Sequence, residues 1–177
     1  MEEIIEIRLG LNIEPNHGLF RLIDMDAYLK MDLSGIVIDN DCYMNEKFSN
    51  RLRFSLAHEL GHYFLHRGIY SKLTFNSSEE WKDFVINSPE NEYANFEWQA
   101  NEFAGRFLVP LDVLKAKIAE VSESLKKIKN IKSYLAEDPD AVLSSVSPYI
   151  RKPFGVSEEV IERRVKREEK LWPPDLS

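Results

Sequence analysis

Short apolar runs mark the first 45 residues, and longer helical periods mark the rest. Ile4, Ile5, Ile7, Leu9 and Leu11 alternate with charged residues closely enough to predict a strand. Pro15-Asn16-His17-Gly18 reads as a turn, and residues 19–23 form another short apolar run. The run 34–39, rich in β-branched residues and closed by Asn40-Asp41, predicts a second strand. From residue 49 the period changes. Residues 49–66 predict a strong helix, with Ser49 or Asn50 as its cap and Gly68 just past its end. A polar connection spans 69–88 and holds a short helical stretch at 81–86. A second strong helix covers 94–108 and is stopped by Pro110, while Ser88-Pro89 offers an earlier start as cap and first helical residue. Residues 111–135 predict a third helix, with Leu114, Ile118, Val121, Leu125 and Ile128 on one side and lysines on the other. A helical hairpin follows, at 140–151 and 156–171, and Trp172-Pro173-Pro174 ends regular structure.

The chemistry lies on the helix at 49–66. His58-Glu59-Leu60-Gly61-His62 puts two imidazoles one turn apart on one face, where both reach a single metal ion. Glu59 projects beside them, placed to take a proton from a water on that metal. Two nitrogens and an oxygen, with one position left for water, suit zinc. Leu52, Leu56, Leu60, Tyr63 and Phe64 gather on one side of the helix, and the two histidines fall on nearly the opposite side. One face packs into a core while the other faces a cleft. Gly61 flanks the histidine face. A glycine inside a helix costs about 1 kcal/mol against alanine, so close approach of another backbone is the reason expected for it.

A third ligand is required. In the second helix Glu97, Ala100, Asn101, Ala104 and Leu108 share one face, small except at the carboxylate and the amide. Such a face lets this helix approach the first closely, with Glu97 as a carboxylate ligand. Asn101, one turn later, can accept a hydrogen bond from a histidine's other ring N–H and so fix its tautomer. Glu102 points elsewhere and reads as surface. Glu79, Glu80, Glu90 and Glu92 are outside candidates.

The run Arg51-Leu52-Arg53-Phe54-Ser55-Leu56-Ala57-His58-Glu59-Leu60-Gly61-His62-Tyr63-Phe64-Leu65-His66 resembles the signature helix of the ImmA/IrrE-type metallopeptidases. The run from Glu97 to Ala104, followed by Phe107-Leu108-Val109-Pro110, is similar to that family's second motif, Glu-x-x-Ala-Asn-x-Phe-Ala with apolar residues and a proline after it. The strand 35–38 fits the family's edge strand before the metal helix. The resemblance implies an α+β chain: a zincin-like metallopeptidase domain, helices packed on a short mixed sheet, at 1–112, with a helical extension at 113–177. It implies one zinc ion per chain, held by His58, His62 and Glu97, with Glu59 as the base. It further implies a cytoplasmic endopeptidase that cuts a regulatory protein, a repressor or antitoxin-like partner. Peptide hydrolysis of this kind also needs a donor to the developing oxyanion. Tyr93, one turn before Glu97, is the first choice, with Arg51 and His66 as options. Substrate backbone would pair with the strand 34–39 if that strand is an edge.

Composition narrows the alternatives. The 177 residues carry a formal charge of −7 and a pI near 5.2, which speaks against a basic nucleic-acid or membrane-surface binder. The segment 154–165 resembles the turn and second helix of a helix-turn-helix. Glu158, Glu159 and Glu162 crowd the turn where base contacts form, so direct nucleic-acid binding is not expected. The one cysteine, Cys42, reads as a minor free thiol rather than an inhibitory ligand. The N-terminus has no signal-peptide pattern, and no run has the length of a membrane helix. A zinc-containing regulatory or binding protein without proteolysis, transcriptional in role, is the alternative. Intact catalytic positions favour the enzyme.

Overall fold

The computed structural model describes residues 1–71 and 89–176. It is helix-rich with one small mixed sheet, an α+β arrangement, and divides into two compact units, Met1–Ala104 and Gly105–Ser177. The expected helical stretch at 81–86 lies outside the described residues.

The first unit is built on three strands, β1 (Asn12–Asn16), β2 (Ala27–Leu29) and β3 (Gly35–Asp39), in the order β1-β3-β2. β1 runs parallel to β3 and β2 antiparallel to it. All five residues of β3 are buried, which explains its unbroken apolar run. The expectation of an edge strand at 34–39 is therefore corrected. Among the described residues β3 is the centre of the sheet, and β2, three residues long, is an edge. Gly35 has a steric role, since a Cβ there would stand 2.5 Å from the Asn12 carbonyl oxygen on β1.

Around the sheet lie α1 (Leu19–Ile23), α2 (Asn40–Tyr43), α3 (Ser49–Leu65), α4 (Arg67–Tyr70) and the greater part of α5 (Glu90–Leu108). The expected strand at the N-terminus is instead a helical turn, Glu3–Arg8. Ile4-Ile5 breaks the alternation, and the helical turn sends Ile5 into the core while Ile7 stays exposed. Glu3 and Glu6 in its first turn and Arg8 in its last suit the helix dipole. The core joins Ile5 and Leu11 to Leu29, Ile36 and Ile38 of the sheet and to Leu52, Leu56 and Leu60 of α3. Phe64, expected on that face, is about half exposed. Ser49 and Asn50 do not act as caps, because a 3-10 turn at Glu46–Phe48 runs directly into α3. Buried Asp39 closes β3 and opens α2, with its carboxylate accepting from the Phe20 N–H and the Cys42 N–H, each at 2.8 Å.

In the second unit α8 (Pro139–Ile150) packs against α6 (Leu111–Leu125), α7 (Ile131–Glu137) and α9 (Glu158–Lys166). The single helix expected over 111–135 is two. α6 ends at Leu125, and Asn130 in the left-handed region (φ 62°) redirects the chain into α7. Asparagine reaches that region with less strain than most residues, and no glycine or proline marks the break. α9 stops at Lys166 rather than 171. Its buried Arg164 donates to the Val109 carbonyl and pairs with Glu168. Arg163 pairs with Glu159, Lys166 with Asp140 and Arg151 with Glu158, which ties up basic charge in the helix-turn-helix-like segment. Among the described residues no helix is long and apolar enough to cross a membrane.

Candidate metal centre

His58 and His62 lie on α3 and Glu97 on α5, and their ligand atoms all fall within 4.8 Å of one another. The spacing of four aims both Nε2 atoms at one point, 2.9 Å apart. Glu97 faces them, one carboxylate oxygen 3.1 Å from His58 Nε2 and the other 3.7 Å from His62 Nε2. Tetrahedral zinc with bonds of about 2.0–2.1 Å separates neighbouring donors by about 3.3–3.4 Å. The observed edges bracket that value, and the donor set of two imidazoles and a carboxylate fits zinc. Asn101 Oδ1 stands 3.1 Å from His58 Nδ1.

Two helices can bring these groups together because their backbones touch. A Cβ on Gly61 would stand 2.9 Å from Ala100 Cα and 3.0 Å from the Ala100 carbonyl oxygen. The close approach expected of Gly61 and of the small face of α5 is thus a single contact between Gly61 and Ala100. It lies between the two histidines in sequence on one helix and one turn past the carboxylate on the other.

Charge at the site follows from burial and neighbours. Burial works against ionising Glu97, yet the hydrogen bonds from His58 and His62 hold its carboxyl well below the usual range. Burial opposes a charged His58, and Glu97 with Glu59 overcomes it, so the ring sits above its ordinary value. For His62 burial prevails and the value falls. Glu59 is buried beside them, and desolvation pushes its carboxyl up to about 7. One of its oxygens accepts the Leu29 backbone N–H of edge strand β2 at 2.7 Å.

Tyr93 flanks the site, its hydroxyl pushed up to about 12 by burial and by the Glu97 and Glu59 charges. Arg51 is committed elsewhere, 2.6 Å from Asp26 and stacked over Phe20. His66 is buried, with one ring nitrogen 2.9 Å from His62 and the other 3.1 Å from Gln99. Cys42 is buried against Asp26 and Asp39, and burial first, then those carboxylates, pushes its thiol up to about 12.

Sequence reasoning missed two groups. Tyr70 on α4 is buried, and burial with the Glu59 and Glu97 charges raises its hydroxyl far above the ordinary value. The Leu29 amide was invisible because a three-residue strand leaves no periodic trace. The role of His66 had a signal: it continues the four-residue spacing of His58 and His62.

A family model for the peptidase family described as the IrrE N-terminal-like domain matches residues 43–166, more than half of the chain. No curated protein and no solved structure gives a significant match.

Proposed function

Because the chain belongs to the ImmA/IrrE peptidase family, we propose that it is a zinc-dependent endopeptidase of zincin-like fold that hydrolyses a peptide bond in a specific regulatory protein. The observation that carries this reading is the convergence of His58, His62 and Glu97 beside a buried Glu59. Those three side chains would hold one zinc ion per chain. When bound, zinc supplies the Lewis acidity that polarises the scissile carbonyl and acidifies a water molecule.

The chain's own groups do the rest. Buried Glu59 accepts the proton of the attacking water and returns it to the leaving amine nitrogen. The Leu29 N–H holds one Glu59 oxygen and leaves the other for that transfer. Tyr93 keeps its proton at neutral pH and donates to the oxyanion, a role for which buried Tyr70 is the structural rival. Asn101 fixes the His58 ring. The substrate backbone pairs along β2, the sheet edge joined to Glu59 through Leu29. The catalytic core is 1–112 and the helical part at 113–177 is its extension. The partner is a repressor or antitoxin-like protein met in the cytoplasm. A basic, DNA-binding partner suits a chain of charge −7.

Co-expression with regulators encoded beside it tests this reading, with metal content measured on the purified chain. Wild type should hold about one zinc and cleave one partner. Glu59→Gln should keep the zinc and lose about 100- to 10,000-fold in rate. Equal cleavage by the variant refutes the mechanism. A partner bound with zinc present but never cut makes the chain a binding protein instead.

A further inference from the structure

We propose that His66, backed by Gln99, is a positioning residue that locks His62 in the tautomer able to bind metal. The inference rests on the zinc reading above. His66 is the residue that ends α3, and its ring is buried and stacked on Phe96 with centroids 4.0 Å apart. Its Nδ1 faces His62 Nδ1 at 2.9 Å, and its Nε2 faces Gln99 Oε1 at 3.1 Å.

Proton bookkeeping gives this row a direction. A neutral imidazole has one N–H donor and one lone pair. If His62 Nε2 gives its lone pair to a metal, its proton sits on Nδ1. His66 Nδ1 must then accept that proton's hydrogen bond, so the His66 proton sits on Nε2. That N–H points at the Gln99 amide oxygen, which accepts it. Each of the four atoms has one role and every contact is satisfied. The reversed row fails at the metal, and with the Gln99 amide placed as it is here it fails at the far end too. His66 Nδ1–H donating to His62 would place the His62 proton on Nε2, facing the other ligands and barring a metal. It would also leave a bare His66 Nε2 against an amide oxygen, two acceptors at hydrogen-bond distance. The Gln99 amide, with its oxygen toward His66 in this structure, accepts at the far end and completes the row that metal binding requires.

The partner is also of an unusual kind. Metal-bound histidines mostly donate to a carboxylate, a backbone carbonyl or water. Here the acceptor is a neutral ring, which orients His62 without adding negative charge to the site.

Zinc affinity of the full chain, measured by competition with a chromophoric chelator, tests the lock. His66→Phe keeps the stacked ring and removes the acceptor, and should bind zinc about 10- to 100-fold more weakly. His66→Gln can accept from His62 and donate to Gln99, so it should recover to within about threefold of wild type, taking the measured range for such partners as the scale. Gln99→Leu leaves the His66 ring in place and should also weaken binding, which keeps the test alive if His66→Phe does not fold. Long-range proton–nitrogen NMR of the zinc-loaded chain should find His62 protonated on Nδ1 and His66 on Nε2. The opposite tautomer at His66, or zinc affinity unchanged in both His66→Phe and Gln99→Leu, overturns the proposal. A wild-type chain that takes up no zinc refutes the metal reading itself, before any variant is compared.

Discussion

Replacing Gly61 with alanine adds one methyl group where two helices meet backbone to backbone. The new Cβ would stand 2.9 Å from Ala100 Cα, 3.0 Å from its carbonyl oxygen and 3.3 Å from its carbonyl carbon. Carbon atoms rest at about 3.5–4.0 Å, so α3 and α5 must part by about 0.6–1 Å at this level. Overpacking of this kind costs about 1–3 kcal/mol, and the better helix propensity of alanine offsets about 1 kcal/mol of it. Metal-free stability should therefore fall by no more than about 2 kcal/mol. The metal site suffers more, because metal–ligand distances tolerate only about 0.2 Å and the parting draws Glu97 away from His58 and His62. Zinc affinity should drop at least about tenfold, or about 1.4 kcal/mol. Gly105→Ala is the control: its Cβ would meet only Arg164 Cδ, at an ordinary 3.9 Å. That variant should gain up to about 1 kcal/mol from propensity and keep its zinc. Urea unfolding of the metal-free chains and chelator competition read the two quantities separately. Wild-type zinc affinity in Gly61→Ala would refute the claim that this contact sets the ligand spacing.

Two further outcomes test the frame around the site. Burial opposes the charge on Asp39, but the Phe20 and Cys42 N–H groups outweigh it and hold its carboxyl below the usual range. Its contribution is present in full above the ordinary carboxylate pKa and is lost as pH falls through the lowered one. Asp39→Asn should thus be less stable by about 1–3 kcal/mol near neutral pH, and the gap should narrow in acid. A gap that urea titrations find constant with pH goes against the reasoning. Cys42, with its thiol pushed up to about 12, should react with a disulfide reagent at pH 8 at least about 100-fold more slowly in the folded chain than in the unfolded one. Equal rates would place the thiol at the surface.

What the sequence made legible was what repeats along it. The ligand spacing and amphipathic face of α3 and the small face of α5 are local patterns, and they led to His58, His62, Glu97 and Asn101 as neighbours. The family follows from the same two helices. Order within the sheet is a matter of which segments meet, and no pattern inside 34–39 separates a central strand from an edge. The unbroken apolar run Ile36-Val37-Ile38 was the one available hint. At the N-terminus five apolar residues in eight fit two periods badly, and the core's demand for Ile5 decided between them. The break at Asn130 depends on one backbone angle that asparagine tolerates and does not advertise.

The three proposed ligands also bear on how the chain stays folded. With a single cysteine the chain has no internal disulfide. An ion shared by His62 and Glu97 would join the two ends of the segment 63–96, doing by coordination what a disulfide does covalently. Mass action then couples occupancy to folding: free ion at 100 times its dissociation constant adds about 2.7 kcal/mol to the stability of the unit that binds it. On the proposed zinc reading, a chelator would therefore act on this protein twice, removing the Lewis acid and loosening the scaffold that presents Glu59.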